Sequence, residues 1–128
     1  MLLIDERIFA DGTHVPTHAQ LEGDRVTLLE ARRPIGELSV AALAHVMTHY
    51  GRELDPEIEL VGEVLDLPAG LRLRRMRYHA PVDATGRDYL VWERPDHPPL
   101  AVVATMAAAA LRYIVLRNPA KPPQESET

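Results

Sequence analysis

The chain has 128 residues, 46% of them hydrophobic, which sets a single domain with a genuine core and excludes wholesale disorder. The 19 acidic residues outnumber the 14 basic ones, and a net charge of −5 is unsuited to coating duplex DNA. The absence of cysteine excludes disulfides, thiolate metal sites and cysteine nucleophiles.

In chain order, the N-terminal run MLLIDERIF meets charge after four leading apolar residues, so it does not read as a signal peptide. A cytoplasmic location is the expectation. Leu2 to Phe9 alternates as a first strand, and Asp11-Gly12 is a turn signal. His14 to Leu21 resumes as a second strand, with Pro16 restricting it to an edge or bulged position because proline donates nothing to a ladder. Glu22-Gly23-Asp24 turns into a third strand, Arg25 to Ala31. Pro34 and Gly36 make Arg32 to Glu37 an elbow. Ser39 is suited to cap a helix running to Tyr50, and Gly51 sits where a left-handed C-terminal residue is wanted. Val40, Leu43, Ala44, Met47 and Tyr50 fall on one side at helical spacing.

The second half begins near residue 57. Ile58 to Leu67 reads as a strand with Gly62 as a bulge, Pro68-Ala69-Gly70 as a turn, and Leu71 to His79 as the next strand. A loop over Ala80 to Gly86 precedes a sixth strand, Asp88 to Glu93. Pro95, Pro98 and Pro99 form a stiff elbow into an apolar helix over Leu100 to Leu116. That run is about 17 residues long, rich in Ala and interrupted by Arg112, which falls short of a membrane span. The three prolines and polar residues from Asn118 to Thr128 predict a disordered tail.

The halves share an outline. In each, a His-Ala pair (His18-Ala19, His79-Ala80) leads through a glycine turn into a short strand ending at a glutamate (Glu30, Glu93), and a helix follows. The reading is one α+β domain over 1–117, built as two βββα halves with helices packed on antiparallel sheet, with a possible internal duplication of 2–51 and 57–117. This layout resembles, in outline, the tandem sheet-plus-helix organisation of PUR-type single-strand nucleic-acid binders. Those proteins use four strands per repeat and dimerise through them. The resemblance includes no residue motif and departs in strand count and net charge.

Chemistry-bearing patterns are few. His45 and His49 stand one helical turn apart, a spacing that grips a metal ion, but HVMTH lacks the glutamate that serves as base in zinc proteases. His14 and His18 share the spacing in an extended segment, where four residues span about 13 Å, too far for one ion. The run LRLRRMRYH, with a bulge at Arg74-Arg75, would set Arg72, Arg74 and Arg77 on one surface beside Tyr78, suited to phosphate contact and stacking with a single strand. The alternative is pairing of those arginines with the acidic segment 57–66 across the Pro-Ala-Gly turn. The strand-end carboxylates Glu30 and Glu93 are the symmetric acid/base candidates. The two serines, Ser39 and Ser126, leave no nucleophile for a triad, and no Gly-rich phosphate loop or cofactor motif occurs.

Along the second helix, Ala101, Ala104, Ala108 and Leu111 form a nearly bare surface. A helix that is apolar all round needs cover on more than one side, and a second copy of the chain is an expected source of it. The function expected is therefore a non-enzymatic protein-interaction module: a small dimeric adaptor or regulatory protein, with no cofactor and an unidentified protein partner. Single-stranded nucleic-acid binding is the alternative, and a histidine-based metal enzyme the third reading.

Overall fold

The computed structural model describes residues 1–79 and 85–117. The expected tail, 118–128, and most of the loop expected after His79 lie outside them. Two antiparallel sheets, of 4 and 5 strands, pack with two helices, so the fold is α+β.

The first sheet is a meander of β1 (Leu2–Ile8), β2 (His14–Glu22), β3 (Arg25–Glu30) and β4 (Arg33–Ser39), in that spatial order. β2 is interior, but Pro16 lies beyond the last β2–β3 pair, Thr17–Glu30, so its missing N–H costs no ladder bond on that side. Where an elbow was expected, β3 turns straight into β4. Ala31 and Arg32 take φ of 49° and 68°, the two left-handed residues of a tight hairpin. Pro34 and Gly36 are tolerated because β4 is an edge strand, and the register slips between Leu28 and Leu29 to absorb the extra residue. The first half is thus four strands and a helix, one strand more than expected.

Helix α1 (Val40–Tyr50) begins as expected: the Ser39 hydroxyl accepts the Ala42 N–H at 3.0 Å. Its buried residues are Leu43, Val46 and Met47, while Tyr50, expected inside, is exposed. Gly51 is not left-handed, with φ −76°. Its need for glycine is a close approach, since a Cβ there would lie 2.8 Å from Leu100 Cβ.

The second sheet runs β5 (Arg52–Glu53), β9 (Leu100–Val103), β8 (Arg87–Glu93), β7 (Arg72–Tyr78) and β6 (Val64–Asp66). Of the strand expected over Ile58 to Leu67, only β6 forms. Leu54, Ile58 and Leu60 instead pack over the outer side of this sheet, against Met76, Val91 and Ala101. The helix expected from Leu100 starts four residues later. Val102 and Val103, β-branched, pair with Leu90 and Tyr89, and α2 (Ala104–Arg117) begins where the alanines do.

Each helix serves both sheets. α1 touches β3 and β4 but also β9, and α2 touches β1 and β4 of the first sheet and β8 and β9 of the second. One core results, drawing Ile4, Leu28, Leu43, Met47, Leu73, Trp92, Val102, Ala108 and Leu111 together. At Gly36 the backbone of β4 meets α2 so closely that a Cβ would sit 2.8 Å from Val115 Cβ. The crossing is tied by charge: Arg112 on α2 donates to Glu30 at 2.5 Å and to the Thr17 hydroxyl at 3.1 Å, and Arg7 takes the other Glu30 oxygen at 2.7 Å.

Candidate functional site

The arginine strand is already occupied. The β7–β8 register is continuous from Arg72–Glu93 to Tyr78–Arg87, with no bulge, so period-two alternation puts Arg72 and Arg74 on one face and Arg75 and Arg77 on the other. Arg72, Arg74 and Arg77 therefore do not line one surface. Arg72 pairs with Asp66 at 3.0 Å, and Arg74 pairs with Glu93 at 2.9 Å while also donating to the Gly62 carbonyl. Arg75 and Arg77 share Asp88, at 2.8 and 3.2 Å. Burial raises the Asp88 pKa, but hydrogen bonds and charge from these two guanidiniums outweigh it and hold the carboxyl below the usual range. Of the acidic segment 57–66, only Asp66 supplies a side-chain partner here, because the chain from Leu54 to Glu63 crosses the sheet rather than pairing with it. Glu93 is held by Arg74 and Glu30 by Arg7 and Arg112, so neither strand-end carboxylate is a free acid/base group.

Tyr78 sits on the Arg72–Arg74 face and meets Tyr89 edge to face at 5.8 Å. The two rings line a cleft of about 310 Å³ with Tyr50, Leu54, Val103 and Met106. His45 and His49 are exposed on α1, their rings nearly parallel with centroids 6.0 Å apart, and Tyr50 stands edge-on to His49 at 4.7 Å. They line a second groove, of about 290 Å³, with Ala110, Tyr113 and Ile114 of α2. Among the described residues, no third His, Asp or Glu joins them as a metal ligand.

The residues expected to seat a second copy are buried within the chain. Ala104, Ala108 and Leu111 face the common core, and Ala101 lies in β9 under the crossing segment. The cover that α2 requires comes from both sheets at once, which leaves a different strip outside. Met106, Ala109, Tyr113 and Leu116 are exposed in succession, at spacings of three, four and three residues. Met106 is 45%, Tyr113 62% and Leu116 57% accessible, three large apolar side chains along one exposed strip of the helix. The spacing was present in the apolar run, but a helix apolar nearly all round does not show in sequence which face the sheets cover.

Charge marks the same face. None of the 19 acidic residues lies in α1 or α2, and the only formal charges there are Arg112, spent on Glu30, and Arg117, lying over the Tyr113 ring at 5.2 Å. A surface depleted of Asp, Glu and Lys and carrying Tyr, Met and Arg has the composition of an interface centre. No helix among the described residues is long and apolar enough to cross a membrane. Comparison with known protein families, with characterised proteins and with solved structures returns no match.

Proposed function

We propose that the chain is a protein-interaction module that works as a homodimer, joined through the exposed strip of α2 and the flanking surface of α1. The observation that carries this reading is the strip itself: Met106, Ala109, Tyr113 and Leu116, uncharged and at the three-four spacing of a helix–helix seam. The strip is self-complementary. If a two-fold axis passes at Leu111, antiparallel pairing sets Met106 against Leu116 of the other copy and Tyr113 against the small Ala109. A residue with a large ring then meets a residue with room for it, which is what an isologous interface demands. With a net charge of −5 on each chain, this carboxylate-free layer is also where two copies approach with least repulsion. The single-strand reading has less support, because Arg72, Arg74 and Arg77 each already hold a carboxylate.

Sedimentation equilibrium of chelator-treated protein tests the reading. The expected result is a mass twice 14.3 kDa at micromolar concentration. Tyr113→Asp should weaken association by about a hundredfold or more, the cost of burying an unpaired carboxylate, while leaving the melting of the monomer unchanged, since Tyr113 is exposed. A wild-type chain that stays monomeric overturns it.

A further inference from the structure

Among the described residues, His45 and His49 are the pair of metal-competent side chains on this face. Two neutral imidazoles one helical turn apart supply two nitrogens to one ion. Zinc takes four ligands, three of them from protein even at an open site, and neither α1 nor α2 contains a carboxylate to serve as a third. The described residues of one chain therefore make half a site. The groove holding the pair is walled by Ala110, Tyr113 and Ile114, at the level along α2, that of Leu111, about which the exposed strip is symmetric.

We propose that two copies complete this site: His45 and His49 of both chains hold one zinc-type divalent cation in a tetrahedral set of four imidazoles across the dimer axis. The inference rests on the seam reading and adds a ligand and a regulator to it. Four neutral nitrogens suit a borderline ion such as Zn²⁺ and exclude Ca²⁺ and Mg²⁺, which demand oxygen. Because both pairs must be present, the ion binds the dimer and not the monomer, so it tightens association by mass action.

The test titrates Zn²⁺ into the chelator-treated full chain and follows both mass and metal content. Half an equivalent of bound zinc per chain is expected, with association tightened by about tenfold or more. Co²⁺ should give the intense visible absorption of tetrahedral coordination. His45→Gln and His49→Gln should each abolish the zinc response, read for each variant as its association with zinc against its own association in chelator. A dimer indifferent to zinc, or zinc bound at one per chain without a change in mass, overturns the shared site and leaves the seam standing. A chain monomeric in chelator that zinc converts to a dimer supports the shared site and overturns the metal-free seam.

Discussion

The Arg112–Glu30 pair joins residues 82 positions apart and fastens α2 to the first sheet, so its removal should cost global stability. The side chains are 16% and 19% accessible, neither dry nor solvated, and Arg7 remains on Glu30 when Arg112 is lost. Breaking a fully buried pair costs about 3–5 kcal/mol, and the residual neutralisation by Arg7 reduces that here, so Arg112→Met should cost about 2–3 kcal/mol. Glu30→Leu should cost a similar amount, by leaving Arg112 without its acceptor. Together the two substitutions put apolar groups of comparable length where the pair was, and half-exposed Arg7 turns to water. The double variant should therefore cost no more than either single one, a coupling of about 2 kcal/mol. Trp92, the only tryptophan and fully buried, reports unfolding in urea through its emission. At the usual slope for a chain of this size, Arg112→Met lowers the midpoint by about 1 M or more at fixed protein concentration. Additive costs in the double variant would refute the reasoning, as would an Arg112→Met midpoint within error of the wild type.

Gly36→Ala forces a Cβ to within 2.8 Å of Val115 Cβ and 3.0 Å of its carbonyl oxygen, so α2 must shift. Thermal unfolding should show a loss of about 2–3 kcal/mol, the range for overpacking. Replacing Ala31-Arg32 by Asn-Gly relieves two left-handed residues that carry a Cβ penalty, and urea unfolding should show a gain of about 1 kcal/mol. His18 is partly buried with no partner for its Nδ1, and burial first, then the Arg32 charge, lower its pKa. The unfolded chain then takes up a proton near about pH 6.5 that the folded chain refuses. Stability should fall as pH drops below that value and level off beneath the lower folded pKa. His18→Leu should remove this component of the slope between neutral and mildly acidic pH.

The meander, the Ser39 cap and α1 were legible because their signals are local: Asp-Gly and Glu-Gly-Asp turns, a capping hydroxyl and helical spacing. β4 was not, because the turn before it, Ala31-Arg32, contains no turn-forming residue, while Pro34 and Gly36 look like breakers until the strand is known to be an edge. The boundary between β9 and α2 was hidden for another reason. Leu100 to Ala110 is apolar apart from Thr105, so periodicity could not mark where pairing ends and coiling begins. The boundary misplaced Ala101, and a run apolar all round could not show which face the sheets cover, so Ala104, Ala108 and Leu111 were taken as outer while Met106, Ala109, Tyr113 and Leu116 are. The arginine strand erred through its assumed bulge: uninterrupted alternation divides the four arginines between two faces, Arg72 and Arg74 beside Asp66 and Glu93, Arg75 and Arg77 sharing Asp88.

The sharing of each helix between two sheets bears on how the chain comes off the ribosome. α1 is made directly after the first sheet, yet it rests against β9, which begins about fifty residues later. Until then the first sheet and α1 have only each other to close upon, since α2 is the last described element to be synthesised. Severing the chain at Gly51 should therefore yield two fragments that are each unstructured alone and regain structure when mixed. Such a topology folds late and all at once, and its nascent half depends on chaperones or speed to keep its bare leucines apart.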